Sequence, residues 1–217
     1  MKQVAVILSG SGVFDGAELH EAVLTLLAIE LEGAKYQCFA PDVEQLHVVN
    51  HLTGEVSEGE SRNVLVESAR IARGGIKPLT ECNVDAFDAL ILPGGFGAAK
   101  NLCTFAVDGS ECAFNDDLLD VCQRFAKAKK PAAYACIAPV LAAKIYGNNV
   151  KLTIGNDQAT AEGVNALGAS HVNCAVDDVV IDNEVKLVTT PAYMLATSIS
   201  EAHKSISKMV QTVLAMK

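Results

Sequence analysis

The sequence predicts an α/β fold: a doubly wound, mostly parallel sheet with helices on both faces. Three observations lead to this fold class. Short apolar runs alternate with longer segments of helical spacing, and glycine-bearing turns separate them. Strands joined through helices run parallel and are covered on both sides. No Pro- or Ser-rich linker or internal repeat interrupts this order, so we expect one domain over residues 1–217.

The first half of the chain contains three predicted strands and two predicted helices. The strands are Val4–Leu8, Lys35–Ala40 and Ala89–Leu92, and the helices are Ala17–Leu31 and Ser61–Arg73. Both helices stop just before glycines, which commonly end helices. The polar stretch between them, residues 47–60, carries two glycines and predicts a hairpin or an excursion from the sheet.

The second half continues the alternation and adds a hairpin near its end. The predicted helices are Asp116–Lys129, Ile137–Tyr146, Ala159–Leu167 and Tyr193–Met216. The predicted strands are Ala132–Ala135, Lys151–Ile154, Val179–Asp182 and Lys186–Thr190, the last two forming the hairpin. We expect the Thr189-Thr190-Pro191 segment to cap the last helix.

Composition favours a protein that acts on small molecules. The formal net charge is -9 and no run of Lys or Arg occurs, so neither nucleic acid nor an anionic membrane is an expected partner. The first apolar run, Val4–Leu8, is too short for a signal peptide core or a membrane span. We therefore expect a cytoplasmic protein.

No metal or cofactor is expected. The seven cysteines form no C-x-x-C pair and are odd in number, which favours reduced thiols over disulfides or a zinc site. His47 and His51 have the spacing of a helical metal pair but lie in a strand-like segment. The glycine-rich loop Ser9–Gly16, followed by Asp42, invites a dinucleotide interpretation, yet Asp15 stands where that motif needs glycine.

Cys136 is the strongest candidate for chemistry. It lies between the apolar run Ala132–Ala135 and the next helical pattern, so it occupies a turn from strand to helix. We expect the N–H groups of the following helical turn to lower the pKa of its thiol and to favour the thiolate. The alternative is a buried, inert cysteine.

Two further turns are expected at the same edge of the sheet. The Gly94-Gly95 loop follows a strand, and the first loop leads into a helix that begins with Glu18, His20 and Glu21. Ligands of doubly wound sheets bind at the carboxyl ends of the strands. The N–H groups of Gly95 and Ile137 are candidates for an oxyanion hole, and a helix Glu for proton transfer. Alternatively, the two Glu residues are solvated acids in a first helical turn.

These motifs resemble those of a known family. Leu92–Gly95, Tyr134–Cys136, Lys151–Thr153 and Val188–Ala192 resemble the DJ-1/PfpI superfamily of class I glutamine amidotransferase-like proteins. More closely, Ile7–Gly16, Asn50–Gly54, Pro93–Leu102 and Cys136–Pro139 are similar to the ElbB/ES1 branch. The resemblance extends over nearly the whole chain.

The resemblance implies a flavodoxin-like sandwich, a homodimer, and a Glu from the first helix that touches the cysteine sulfur. That position falls on Glu21. It also implies a glutathione-independent glyoxalase that converts glyoxal to glycolate, with methylglyoxal as a second candidate substrate. Gly94, Glu18, His20 and Asn101 are then the expected substrate-binding residues, and His20 is also a candidate acid or base.

The chain departs from the pattern of the superfamily that it resembles at two histidine positions. Ile137 follows the cysteine where glutaminase and protease relatives place His, and Ile154-Gly155 stands where DJ-1-like proteins carry another. Glutamine hydrolysis therefore loses its usual base. Aldehyde addition through a Cys136 hemithioacetal needs no leaving group and is the favoured interpretation. A redox or electrophile sensor acting through the same thiol is the alternative.

Overall fold

The computed structural model describes residues 1–217 and contains nine strands and eight α-helices. The strands are β1 (Gln3–Ile7), β2 (Lys35–Ala40), β3 (Ile76–Pro78), β4 (Ala89–Leu92), β5 (Ala132–Ala135), β6 (Lys151–Leu152), β7 (Ser170–His171), β8 (Val180–Asp182) and β9 (Leu187–Thr190). The helices are α1 (Leu19–Leu31), α2 (Val64–Ile71), α3 (Phe96–Lys100), α4 (Phe105–Asp108), α5 (Asp116–Lys127), α6 (Ala142–Tyr146), α7 (Gln158–Ala166) and α8 (Ile199–Ala215).

Seven strands form the main sheet, in the order β3-β2-β1-β4-β5-β9-β8. Neighbouring strands are parallel from β3 to β9, and β8 pairs antiparallel with β9 at the edge. From β1, the next strands of the chain, β2 and β3, are added on one side, and the later strands of the sheet, from β4 onward, are added on the other side. The switch point therefore lies between β1 and β4. At such a point the loops after two adjacent strands diverge and leave a crevice for a ligand. The predicted doubly wound α/β fold is confirmed.

Alternate residues of the strands bury two separate cores. Val4 and Val6 of β1 face a cluster completed by α1 and α8, whereas Ala5 and Ile7 face a cluster completed by α5, α6 and residues 138–141. Side chains of a strand alternate between its faces, so a strand covered by helices on both sides is apolar throughout. This explains why β4, β5 and the part of β1 after Gln3 are continuous apolar runs.

The structure contains α3, α4 and β7 where no element was predicted, and it differs from the predicted elements in three further places. Residues 76–78, where no strand was predicted, form the edge strand β3, whose few residues give a weak pattern. The segment that begins at Lys151 forms only the short β6, which pairs with β7 in a separate two-stranded sheet. The last helix begins after Ser198, whose side chain accepts the Glu201 N–H at 3.2 Å, instead of at Tyr193.

The polar excursion predicted at residues 47–60 closes onto the first loop. Val49 and Val56 form an isolated antiparallel bridge. Asp15, only 2% exposed, accepts the Val49 N–H through Oδ2 at 2.7 Å. His51 accepts the Phe14 N–H through Nε2 at 3.2 Å. These contacts join residues 49–51 to the glycine-rich loop. No group of three or more His, Cys, Asp or Glu side chains is arranged to hold a metal ion.

Candidate active site

Cys136 occupies a strained turn directly after β5. Its φ is +60°, in the left-handed region that residues with a Cβ rarely adopt. The β5–β9 ladder holds it there, because the Cys136 N–H donates to the Thr190 carbonyl at 3.0 Å. Such strain persists only where surrounding contacts enforce it, at a cost of about 1–3 kcal/mol. The turn carries the thiol off the end of the strand while leaving it only 7% exposed.

Helix α1 positions Glu21 beside this thiol. Glu18 begins the helix, because its carboxylate accepts the Glu21 N–H at 2.7 Å. The Glu18 N–H donates to the Gly94 carbonyl at 2.8 Å and so fixes the helix end on the glycine loop. Both acids are buried, 8% exposed at Glu18 and 0% at Glu21. The interpretation of these residues as solvated acids is therefore wrong.

Two backbone donors orient the Glu21 carboxyl group. The Gly94 N–H donates to Oε2 at 2.8 Å, and the Tyr193 N–H donates to Oε1 at 3.0 Å. Burial still dominates and raises the pKa of Glu21 from 4.5 to about 7, assisted by the nearby Glu18 and opposed by these N–H groups and Cys136. A group with this pKa both accepts and releases protons at neutral pH.

The thiol itself does not follow the expectation from sequence. Burial, followed by the negative charge of Glu21, raises the pKa of Cys136 well above that of an ordinary thiol. The N–H groups of Gly95 and Ile137 interact with the sulfur and oppose this rise. The predicted lowering of the thiol pKa is wrong, because burial and the charge of Glu21 outweigh the N–H groups that face the sulfur. A 3₁₀ turn (Ala138–Leu141) and the five-residue α6 follow the cysteine. At rest the pair is a thiol beside a titrating carboxyl group.

The glycines permit the close approach of three chain segments. A Cβ on Gly94 would overlap the Cys136 Cβ and lie 2.7 Å from Glu21 Oε2. Gly95 has a φ of +101°, and a Cβ there would overlap the backbone of residues 16–18. Both positions therefore require glycine on steric grounds. The predicted oxyanion-hole donors, Gly95 and Ile137, face the sulfur from this loop and from the elbow.

A cavity of about 180 Å³ opens above the sulfur. Gly95, Cys136 and Ile137 line it together with residues that the sequence did not single out, namely Val13, Phe96, Thr160, Tyr193 and Met194, and with Glu18. No Lys, Arg or His lines the cavity. Four larger depressions, of about 430, 400, 350 and 320 Å³, contain neither Cys136 nor Glu21. The geometry therefore favours a small, uncharged ligand at the cysteine.

Three of the four predicted substrate-binding residues, Gly94, His20 and Asn101, lie outside the cavity lining, and only Glu18 lines it. The Gly94 N–H donates to Glu21 instead. The Asn101 amide donates to the carbonyls of Ser9 and Asp15 at 2.8 and 2.9 Å and accepts the Leu46 N–H at 2.9 Å. Its side chain thereby joins three loops. His20 is exposed on α1, and its Nδ1 lies 2.8 Å from the hydroxyl oxygen of Tyr193. Tyr193 connects His20 to the cavity.

Tyr193 is the main residue that sequence reasoning missed. It was expected to begin the last helix, but it lies in a 3₁₀ turn at the carboxyl end of β9. Ala192 before it has a φ of +43°, and the Ser205 hydroxyl accepts the Ala192 N–H at 3.1 Å. In this turn the Tyr193 N–H is oriented to donate its hydrogen bond to Glu21. The available signal was its position after a parallel strand, where ligand-binding residues concentrate.

Comparison with known proteins identifies relatives along the whole chain. No family model matches the sequence. The chain is 49% identical to the rat "ES1 protein homolog, mitochondrial" over 99% of its own length and 84% of that protein. It is also 49% identical to the human "Glutamine amidotransferase-like class 1 domain-containing protein 3, mitochondrial", over 99% of its own length and 83% of that protein.

Solved structures agree with this relationship. An amidotransferase-like isoprenoid biosynthesis protein from Ehrlichia chaffeensis is 34% identical and superimposes with a TM-score of 0.92 over 99% of this chain and 98% of that one. A DJ-1 superfamily protein from Salmonella typhimurium shares the fold, with a TM-score of 0.60 at 20% identity over 99% of this chain and 91% of that one.

The prediction of a cytoplasmic protein is wrong, since the names of the rat, human and zebrafish relatives point to mitochondria. Mitochondrial targeting resides in a transit segment separate from the folded domain, so the pattern of the domain does not reveal the compartment. No helix of the structure is both long and apolar enough to span a membrane. By sequence identity, coverage and fold, this chain belongs to the ES1 family, within the ElbB/ES1 branch of the DJ-1/PfpI amidotransferase-like proteins.

Proposed function

We propose that the protein is a glutathione-independent glyoxalase that converts glyoxal, and methylglyoxal less readily, to the 2-hydroxy acid. The observation that carries this proposal is the contact between the buried Glu21 carboxyl group and Cys136, which lines a small cavity, with the N–H groups of Gly95 and Ile137 facing the sulfur. In this proposal Cys136 acts as the nucleophile, Glu21, whose pKa is about 7, as the proton carrier, and the two N–H groups as oxyanion donors.

The first step is addition of the thiol to the aldehyde. Glu21 takes the proton of the Cys136 thiol as the sulfur bonds to the aldehyde carbon, C1. The electron pair of the C1 carbonyl moves onto its oxygen, where the two N–H groups stabilise it. Because the resting thiol is neutral, proton transfer to Glu21 accompanies addition, and no permanent thiolate is needed.

The second step moves hydrogen between the two carbons. Once the C1 oxygen has taken the thiol proton, Glu21 removes the C1 proton, and the C–H electron pair forms an enediol as the C2 oxygen is protonated. Glu21 then returns its proton to C2, and the enediol collapses to a 2-hydroxyacyl thioester as the proton of the C1 hydroxyl leaves to solvent. C1 is oxidised and C2 is reduced by the same amount. Water attacks the thioester, the S–C1 bond breaks, and the sulfur regains a proton.

The cavity supports a small, uncharged substrate. Its walls are mostly apolar, with Val13, Phe96, Ile137 and Met194 among them. Without a lining cation it offers no partner for a carboxylate or phosphate, and an unpaired charge is costly to bury. The smallest 2-oxoaldehydes meet both conditions.

The test is steady-state production of hydroxy acid from glyoxal and methylglyoxal without glutathione or added metal. Cys136→Ala abolishes product formation, and Glu21→Gln lowers it by at least about 100-fold, the usual contribution of general acid–base catalysis. Cys174→Ala, which removes a partly buried thiol outside the cavity, is the matched control and retains wild-type turnover.

The same assay separates the enzyme from the alternatives. Absence of turnover by wild type, with selective peroxide oxidation of Cys136, would contradict the enzyme and favour the sensor. The raised pKa of Cys136 argues against the sensor, because oxidation follows thiolate character. Glutamine hydrolysis remains the least favoured, because no imidazole lines the cavity.

We further propose that two copies associate through α1 as a homodimer. Leu19, Val23, Leu27 and Leu31 recur every four residues on one face and are 45%, 52%, 42% and 70% exposed. The opposite face packs on α8 and the sheet. Because each copy carries a net charge of -9, copies repel one another except where an uncharged surface meets its own symmetry mate.

Analytical ultracentrifugation tests this assembly. Val23→Lys combined with Leu27→Lys converts dimer to monomer, because two charges would face their counterparts across the two-fold axis. Val107→Lys, at a residue 62% exposed outside the stripe, leaves the dimer intact. A dimer that survives the double substitution would place the interface elsewhere.

A further inference from the structure

The proposed reaction needs a proton donor that neither Cys136 nor Glu21 provides. When Glu21 removes the proton from C1, negative charge develops on the C2 oxygen, and that oxygen must be protonated at the same time. Glu21 has already accepted a proton at this stage. The N–H groups of Gly95 and Ile137 face the sulfur and serve the C1 oxygen. A second acid at the cavity wall is therefore required.

Three other polar side chains line the cavity, and two of them are engaged. The Glu18 carboxylate accepts the Glu21 N–H at the start of α1. The Thr160 hydroxyl interacts with the Asp157 carboxylate, which caps α7. The remaining group is the phenol of Tyr193, whose backbone N–H already donates to Glu21.

We propose that Tyr193 is the catalytic acid that protonates the C2 oxygen, and that His20 resupplies its proton. This inference rests on the proposed glyoxalase function. The Tyr193 hydroxyl oxygen lies 2.8 Å from Nδ1 of His20, and the ring centroids are 5.7 Å apart. With a proton on Nδ1, the imidazole donates to the phenol oxygen and leaves the phenol hydrogen free for the substrate.

The proton path is balanced at each step. The phenol hydrogen passes from Tyr193 to the C2 oxygen, and the Nδ1 proton of His20 passes to the phenol oxygen. Because His20 is exposed, solvent protonates its Nε2 as the Nδ1 proton leaves, so the ring stays neutral. Proton exchange with solvent then returns the ring to the Nδ1–H form before the next turnover. When the enediol collapses to the thioester, the proton of the C1 hydroxyl leaves to solvent and no net charge accumulates. The pair thus replaces the cysteine-adjacent histidine that this chain lacks.

Substitution of the two residues, singly and together, tests the path. Tyr193→Phe keeps the backbone N–H to Glu21 and lowers kcat for glyoxal by about 100-fold, with KM changed less than about twofold. His20→Ala lowers kcat by only about 10-fold, because water partly replaces it. The double variant is no slower than Tyr193→Phe, since both groups act in one path. Added imidazole restores His20→Ala but not Tyr193→Phe.

Two controls keep this inference distinct from the proposed function. Tyr36→Phe removes a partly exposed phenol on β2, outside the cavity, and leaves kcat unchanged. Alkylation of Cys136 by iodoacetamide proceeds at the wild-type rate in Tyr193→Phe, which shows an intact thiol site. A Tyr193→Phe enzyme with wild-type kcat, one with only a raised KM, or losses that multiply in the double variant would overturn the inference alone. Absence of turnover in wild type would overturn the glyoxalase as well.

Discussion

Replacement of Glu21 by Gln is expected to remove one contribution to the pH dependence of folding stability. Glu21 is fully buried, and its pKa rises from 4.5 to about 7 in the folded protein. Between these values the folded state holds a proton that the unfolded chain has lost. The stabilisation from burying the neutral acid is therefore fully present below about pH 4.5, and is lost as the pH rises through about 7.

The size of the effect follows from the two pKa values. Each pH unit between them is worth about 1.4 kcal/mol, so the rise from 4.5 to about 7 corresponds to about 3.4 kcal/mol in total. Between about pH 5.5 and about pH 8 the expected loss is about 2 kcal/mol. Gln does not titrate, so the difference in unfolding free energy between wild type and Glu21→Gln shifts by that amount toward the variant.

Urea denaturation with reductant at the two pH values measures this difference. Other titrating groups cancel between the proteins. Gln presents one carbonyl oxygen to the N–H groups of Gly94 and Tyr193, and this mismatch costs about 1–3 kcal/mol at every pH. Glu30→Gln, on the exposed part of the same helix, controls for the loss of a carboxylate. A difference between wild type and Glu21→Gln that stays constant with pH would refute a proton held by Glu21 in the folded state.

Three further results are expected. Gly94→Ala lowers the free energy of unfolding by about 1–3 kcal/mol and slows glyoxal turnover, since its Cβ would overlap Cys136 Cβ; urea denaturation and kinetics measure both. Asn101→Ala loses about 1–3 kcal/mol of stability in the same denaturation assay, because its amide hydrogen-bonds three backbone groups. A changed KM with intact stability would instead support Asn101 as a substrate-binding residue. Alkylation of Cys136 by iodoacetamide still accelerates above the pH at which an ordinary thiol has ionised, because burial and Glu21 raise its pKa; a plateau near neutral pH would contradict this direction.

Much of the fold was predictable because its signals are local. The strands β2, β4 and β5 have the predicted bounds, since each is a short run bounded by turn-forming or charged residues. The elbow at Cys136 and the glycine loop follow directly from strands that end at one edge of the sheet. The edge strand β3 was missed, because three residues do not show a period.

The candidate site was predictable as a set of positions but not as an electrostatic environment. A thiol after a strand is expected to have a low pKa from local geometry alone, yet its pKa is raised here, because burial and Glu21 oppose ionisation. Burial depends on every element packed around the sulfur. Asn101 lies in the recognised motif, but only the fold shows that its amide is engaged by other loops.

The sequence by itself predicted most of the alternation of strands and helices, the strand-to-helix turn at Cys136 and the family, and the family resemblance pointed to Glu21 as the acid beside the sulfur. Periodicity, turn chemistry and motif spacing act over a few residues and are visible in one dimension. Tertiary structure alone decided that Glu21 meets Tyr193, which lies 172 residues away, and that Tyr193 meets His20. Contacts between residues so far apart in sequence form only when the sheet has assembled. The exclusion of solvent that shifts the pKa values also requires the helices to pack on both faces of the sheet.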